Sequence, residues 1–125
     1  MVAALTGGGV AEDALPPITG QDAELAAVQR IIAGQQAMTI YKPNPIEAET
    51  AAELAVTLAR GEEPGATSDT GVELTEYEGV PSYIFDPIAV TAENVADTVV
   101  ADGFYAVEDI CTEEYADACA AAGIS

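Results

Sequence analysis

The stretch from Pro17 to Pro43, PITGQDAELAAVQRIIAGQQAMTIYKP, constrains the fold more than any other part of the chain. An apolar approach leads into this stretch, an amphipathic helix is predicted over 23–32, and Gly34 supplies the helix stop. A second strand then covers 38–41. A strand, a helix and a strand in this order are typical of a β-α-β unit, in which the two strands run parallel in one sheet.

The polar residues that follow these two strands form a candidate binding site. In an open parallel sheet, ligands bind in the crevice outside the carboxyl ends of the strands. Asp22 follows the first strand and Lys42 follows the second, so a carboxylate and an ammonium should emerge side by side. Gln21 and Asn44 are adjacent, secondary candidates. The structural alternative for Asp22 is a helix N-cap, and the alternative for Lys42 is a solvated loop lysine.

The remainder of the chain continues the alternation of strands and helices, which favours an α/β architecture. Helices are predicted over 46–60, 92–101 and 112–122, and strands over 80–86 and 88–90. Thr91 is the predicted cap of the second of these helices. The polar, turn-rich run 62–79 predicts a surface loop. Prolines at 43, 45 and 87 interrupt the regular elements and favour crossing points of the chain.

The charge balance excludes two classes of partner. The chain has 22 acidic residues, three basic residues and no histidine, for a net charge of −19. Nucleic acids and anionic lipids are bound by clusters of Lys and Arg, which this chain lacks. No apolar run approaches the roughly 18 residues of a membrane helix, and residues 1–10 do not read as a signal peptide.

Catalytic, metal and cofactor sites find no support in the sequence. There is no histidine, no Gly-x-Ser-x-Gly motif, no phosphate-binding loop and no cluster of cysteine and histidine ligands. The acidic pairs Glu62-Glu63 and Glu113-Glu114 lie in a predicted loop and at a helix start, where solvated or dipole roles are expected. We therefore expect a binding protein without a cofactor rather than an enzyme.

Cys111 and Cys119 are predicted to form a disulfide bond, with two free buried thiols as the alternative. Eight residues of regular helix would separate the two α-carbons by about 12 Å, whereas a disulfide spans at most about 7 Å. Cys111 must therefore lie outside the last helix and fold back towards it.

Four segments also resemble a known family. TGQDAELAAVQRIIAG, MTIYKP, ETAAELAVTLARGEE and VPSYIFDPIAVTAENVADTVVADGFY resemble, in this order, the C-terminal part of bacterial extracytoplasmic monosaccharide-binding proteins, most closely the xylose-binding branch. The resemblance runs from Gly8 to Tyr105. It implies the C-terminal portion of a type I, two-lobed periplasmic-binding-protein clamp, with parallel sheets flanked by helices. Residues 1–42 and 88–125 would belong to one lobe and 43–87 to the other, with hinge crossings near 43 and 87.

The resemblance also implies a function. Proteins of this family bind a pentose or hexose between their lobes and deliver it to the membrane permease of an ABC importer, from the periplasm or as cell-surface lipoproteins. The family's sugar-contacting positions match Asp22 and Lys42 here. Tyr41 alternates away from Lys42 along the strand and is expected in the core. The aromatic rings that stack on the sugar are therefore expected in the regions of the family's proteins that this segment does not match.

Two other functions remain compatible with the sequence. The effector-binding domains of sugar-responsive transcription regulators share the clamp architecture. Alternatively, the segment is a structural remnant that binds no ligand. Its predicted sheets have open edges and its helices have uncovered apolar faces, so self-association of the segment is also expected.

Overall fold

The computed structural model describes residues 1–124, which form two compact units. The first unit combines Met1–Lys42 with the chain from Ile88 onward, and the second unit is Pro43–Pro87. The predicted first lobe extends to residue 125, which lies outside the described residues. The assignment of the two units to lobes of a clamp stays a prediction.

The regular elements are short apart from one helix. In chain order, the helices are α1 (Val2–Gly7), α2 (Leu25–Ile32), α3 (Asn44–Ala59), α4 (Val107–Ile110) and α5 (Ala116–Ala121), and the strands are β1 (Thr39–Tyr41), β2 (Leu74–Tyr77), β3 (Val80–Tyr83) and β4 (Ile88–Val90). Single turns of 3-10 helix cover Glu12–Ala14 and Glu113–Tyr115. Among residues 1–124, no helix combines the length and the apolar character needed to cross a bilayer.

The β-α-β unit is present in reduced form in the first unit. Thr19 and Met38 form a parallel bridge on either side of α2, and the Gly20 amide donates to the Met38 carbonyl at 2.9 Å. β1 then pairs with β4, with Thr39 opposite Val90. This second pairing is antiparallel, so among the described residues the expected parallel pairing is confined to the Thr19–Met38 bridge.

Helix α2 supplies one wall of the core of the first unit. Its apolar residues recur at helical spacing, so Val28, Ile31 and Ile32 share one buried face. That face packs in a cluster with Tyr41 of β1 and with other buried apolar residues of the unit. Burying each large apolar side chain of this kind contributes about 1.5 to 3 kcal/mol. As predicted, the helix ends at a glycine in the left-handed region, Gly34 with φ +76°.

The C-terminal part of the first unit is bonded to α2 by one side chain and is cross-linked internally by a disulfide bond. The Gln29 side chain donates to the backbone carbonyls of Asp109 and Ile110, at 3.2 and 3.4 Å. Cys111, just after α4, forms a disulfide bond with Cys119 of α5, and their α-carbons are 5.8 Å apart. Cys111 lies outside α5, where the spacing argument requires it to lie.

The segment predicted as a helix over 92–101 has a different local structure. Residues 96–100 form a π-helical turn, and Thr91 does not cap it. Instead, Oδ1 of Asn94 accepts a hydrogen bond from the Thr91 amide at 2.8 Å, and the Thr98 hydroxyl donates to the Asn94 backbone carbonyl at 2.6 Å. A threonine that bonds back to the carbonyl four residues earlier competes with the regular helix ladder, which explains the local distortion.

The second unit consists of α3 and a β-hairpin. β2 and β3 pair antiparallel through a turn at Glu78 and Gly79, both at positive φ. The prediction of a surface loop over 62–79 is therefore wrong for β2, because the two-residue turn lies inside a polar run that hides the hairpin. The side chains of Thr50, Ser68 and Thr70 are linked by hydrogen bonds that hold the 68–72 turn against α3.

Candidate functional site

Asp22 and Lys42 lie in contact at one end of the first unit. The Lys42 ammonium donates to the Asp22 carboxylate, with Nζ and Oδ1 2.6 Å apart. The side chains are 42% exposed for Lys42 and 62% exposed for Asp22, so solvent or a ligand reaches both. The structure thus brings together the two residues that the sequence places at the strand ends.

The parallel bridge explains this contact. Thr19 and Met38 are paired, so the segments that follow them leave the sheet in the same direction and at the same level. Asp22 is three residues beyond Thr19, and Lys42 is four residues beyond Met38 at the end of β1. A carboxylate and an ammonium delivered to one edge form an ion pair there.

Asp22 is not a helix cap. The residue at the N-cap of α2 is Glu24, and no side chain forms a capping hydrogen bond there. Asp22 instead has φ +69°, in the left-handed region. The N-cap interpretation of Asp22 is therefore wrong, because a left-handed turn at Asp22 and Ala23 precedes the N-cap residue, Glu24.

The backbone at Asp22 and Ala23 is strained. Both residues adopt left-handed φ values, +69° and +47°, although neither is glycine. This conformation costs roughly 1 to 2 kcal/mol for a residue such as Ala23, whereas an aspartate tolerates it better. Strained backbone of this kind persists only where its surroundings hold it, and it concentrates at functional sites.

Buried groups beneath the loop hold this conformation. The Ala23 amide donates to the hydroxyl of Thr39, at 3.3 Å, and both residues are fully buried. A β-carbon on Gly20 would lie 2.6 Å from Nε2 of Gln36, so the loop rests directly on the Gln36 amide. Gln36 is itself fixed, because it donates to the Met38 carbonyl at 3.0 Å and accepts from Nε of Arg30 at 3.1 Å.

These supporting residues were not found by the sequence analysis. Thr39 is an ordinary strand residue by type, and Gln36 follows a helix stop, where a polar side chain is usual. The glycine of the GQD run was the available signal, since a glycine that is not in a left-handed turn often marks a close approach of backbone to another group. Here the group approached is Gln36.

The two secondary candidates have different positions. Gln21 is exposed and lines a shallow cleft of about 180 Å³ together with Glu24 and Arg30. Asn44 is the first residue of α3 and belongs to the second unit.

The Asp22–Lys42 pair offers both acceptors and donors of hydrogen bonds. A carboxylate accepts several hydrogen bonds, and an ammonium donates up to three. Among residues 1–124, no group of three or more Asp, Glu, Cys or His side chains is arranged to hold a metal ion.

Comparison with known proteins identifies the family. The chain is 46% identical over 93 residues to the D-xylose-binding periplasmic protein of Haemophilus influenzae, which covers 74% of this chain and 27% of that protein. It is 49% identical over 88 residues to the Escherichia coli protein of the same name, over 70% of this chain and 26% of that protein. The chain belongs to the periplasmic sugar-binding protein family. No protein-family model matches it.

Other periplasmic sugar-binding proteins match over similar lengths. The multiple sugar-binding periplasmic receptor of Rhizobium radiobacter is 34% identical over 108 residues, which is 83% of this chain and 29% of the receptor. The chain therefore spans little more than a quarter of the length of the curated relatives it matches.

Solved structures of periplasmic sugar-binding proteins share the fold. A carbohydrate transporter solute-binding protein from Chloroflexus aurantiacus, in complex with D-glucose, superimposes with a TM-score of 0.62 at 33% identity, over 74% of this chain and 26% of that one. An ABC transporter solute-binding protein from Clostridium phytofermentans, with bound β-D-glucose, gives the same TM-score at 24% identity, over 77% of this chain and 29% of that one. The fold is that of part of a type I periplasmic-binding-protein clamp.

In this member of the periplasmic sugar-binding protein family, an aromatic cluster supports the Lys42 side of the site. The Tyr41 ring is 1% exposed and packs against Phe104, with ring centroids 5.1 Å apart, and Phe104 in turn contacts Tyr105 at 4.7 Å. Burial, with a further contribution from the nearby Asp102 carboxylate, raises the pKa of the Tyr41 hydroxyl above its usual value. Tyr41 is thus a core residue that anchors the end of β1 rather than a ring that stacks on a ligand.

Proposed function

We propose that this chain forms one edge of a monosaccharide site, for a pentose or a hexose, in a two-lobed sugar-binding protein. The observation that carries the proposal is the exposed Asp22–Lys42 pair on a strained, well-supported loop. In the whole protein, the sugar lies between the lobes and is delivered from the outer side of the membrane to the permease of an ABC importer.

The chemistry of the pair suits a sugar. Each sugar hydroxyl both donates and accepts hydrogen bonds, so a site needs fixed acceptors and fixed donors at adjacent positions. The Asp22 carboxylate accepts hydrogens from two neighbouring hydroxyls, while the Lys42 ammonium donates to a hydroxyl or ring oxygen. Charged partners make such hydrogen bonds shorter and stronger than neutral partners do.

The mutual ion pair prepares both groups for a neutral ligand. An isolated carboxylate or ammonium would lose much of its hydration when a clamp closes, at a cost of several kcal/mol. With Nζ and Oδ1 already 2.6 Å apart, each charge keeps an opposite charge beside it when water leaves. The second carboxylate oxygen then serves the ligand, and the ammonium is held beside it by the ion pair.

The role of the chain is binding rather than catalysis. The named relatives and structural neighbours are sugar-binding and transport proteins. Asp22 and Lys42 form an ion pair with each other here. We infer that the protein works outside the cytoplasm, as its periplasmic relatives do.

Titration calorimetry on a complete two-lobed protein tests the proposal. A suitable protein is a chimera in which this chain replaces the matching segment of the Escherichia coli D-xylose-binding periplasmic protein. We expect the chimera to bind at least one of xylose, arabinose, glucose and galactose, and the isolated chain to bind these sugars weakly or not at all, because each lobe supplies only part of the hydrogen bonds.

Two single variants and one control complete this experiment. Asp22→Ala and Lys42→Ala should each weaken binding by about 2 to 4 kcal/mol, because each leaves buried sugar hydroxyls unpaired. Asp13→Ala removes an exposed carboxylate of the first unit outside the site and should leave the affinity unchanged. Equal affinity of all three variants would contradict the assignment of the site.

A further inference from the structure

A buried hydrogen bond supports the loop that carries Asp22. Asp22 and Ala23 are consecutive left-handed residues, so relaxation of either φ angle would swing the Asp22 carboxylate away from its present position. Ala23 is fully buried, and its amide has no access to water in place of a protein partner. The acceptor of that amide is the Thr39 hydroxyl, at 3.3 Å.

Thr39 is well placed to fix the loop rigidly. It is fully buried in β1, where its backbone is held opposite Val90 of β4. β1 also ends one residue before Lys42, so a single strand determines the position of both members of the ion pair. It positions Lys42 through the chain and Asp22 through the Thr39 hydroxyl.

We infer that Thr39 is a positioning residue of the sugar site: its hydroxyl holds the left-handed turn that aims Asp22 at the ligand. This inference rests on the proposed function, since it concerns how Asp22 meets a sugar. Thr39 itself is buried and does not touch a ligand. Its contribution is to preorganise the Asp22 carboxylate. A loop that was free to relax would have to be ordered again when the sugar binds, at a cost in affinity.

The side chain of Thr39 allows a precise pair of substitutions. Thr39→Val keeps the shape of the side chain but removes the acceptor, so the Ala23 amide stays buried without a partner. Thr39→Ser keeps the acceptor and removes a methyl group. Thr98→Val is the matched control, because it also removes a buried threonine hydroxyl of the first unit, at a site bonded to the Asn94 carbonyl rather than to the loop.

Calorimetry on the chimera and amide exchange on the 125-residue chain test the inference together. We expect Thr39→Val to weaken sugar binding roughly tenfold and Thr39→Ser to restore most of it. Thr98→Val should leave the dissociation constant unchanged even if it lowers the melting temperature. In the isolated chain, Thr39→Val should abolish the protection of the Ala23 amide against hydrogen exchange, while Thr98→Val should not.

A double variant separates positioning from general weakening. If Thr39 acts through Asp22, then Thr39→Val should change the affinity of the Asp22→Ala protein by less than about twofold, because the group being positioned is already absent. An undiminished tenfold effect in that background would overturn the inference.

The remaining outcomes distinguish this inference from the proposed function. If the chimera binds sugar and Thr39→Val binds it as tightly, the positioning role is overturned and the sugar site stands. If a folded chimera binds none of the sugars, the proposed function fails, and the positioning role fails with it. An Ala23 amide that exchanges freely in the unmodified chain would also overturn the inference, without bearing on sugar binding.

Discussion

Gly20→Ala should destabilise the first unit through a single contact. A β-carbon at Gly20 would lie 2.6 Å from Nε2 of Gln36 and 3.3 Å from Oγ1 of Thr39, and the first distance is too short to persist. The Gln36 side chain must move, although it is only 6% exposed. When it moves, it gives up its hydrogen bond to the Met38 carbonyl and the one that it accepts from Arg30.

The magnitude follows from those two bonds. Each contributes about 1 kcal/mol net, with a somewhat larger value for the bond from the charged Arg30. Gly20→Ala should therefore lower the free energy of unfolding by about 2 kcal/mol. Equilibrium urea unfolding of the 125-residue chain, followed by circular dichroism, measures this difference.

Two further variants make the result specific. Gly7→Ala is the control, because nothing lies within 4 Å of a β-carbon at Gly7, and it should leave the stability unchanged or raise it slightly, since Gly7 is the last residue of helix α1. In a Gln36→Ala background the clash partner is absent, so Gly20→Ala should cost much less than it does in the unmodified chain. A Gly20→Ala variant as stable as the unmodified chain would contradict the role given to the Gln36 contact, and so would a full loss of stability in the Gln36→Ala background.

Two other predictions concern the first unit. Reduction of the Cys111–Cys119 disulfide, or replacement of both cysteines by serine, should lower the free energy of unfolding by about 2 to 3 kcal/mol, the loop-closure value for a short loop. Urea unfolding with and without reductant measures this difference, and equal stability under the two conditions would contradict the prediction. Because the pKa of Tyr41 is raised in the folded chain, the stability linked to it is fully present below the unfolded pKa of about 10 and is lost as the pH rises through the folded pKa. Tyr41→Phe should therefore have a higher free energy of unfolding than the parent at pH 11 and be no less stable than the parent at pH 7. If the loss of stability between pH 7 and pH 11 is the same in Tyr41→Phe and in the parent, this prediction is refuted.

The β-α-β unit was predictable because its signals are local and agree with one another. The apolar stripe of α2 and the stop at Gly34 lie in one continuous stretch, and both have the predicted roles. The meeting of Asp22 and Lys42 followed from the rule for parallel strand ends, even though the parallel pairing is reduced to one bridge.

The features that escaped prediction depend on contacts between distant residues or on unusual backbone geometry. The left-handed turn at Asp22 is held by Thr39, sixteen residues after Ala23, and no local pattern reveals that bond. The antiparallel partner of β1 is β4, which follows the second unit in the sequence. The β2–β3 hairpin turns at Glu78-Gly79, where glutamate replaces the Asn or Asp that usually marks such a turn.

We propose that Asp22 and Lys42 together form the sugar-contacting edge of this chain. The most direct measurement is the dissociation constant of the chimera for its best sugar, determined by calorimetry for the parent, Asp22→Ala, Lys42→Ala and Asp13→Ala. We expect each of the first two variants to weaken binding by about 30- to 900-fold, which corresponds to about 2 to 4 kcal/mol, while Asp13→Ala binds as the parent does. Parent-like affinity in both Asp22→Ala and Lys42→Ala would contradict the assignment of the sugar site to these two residues.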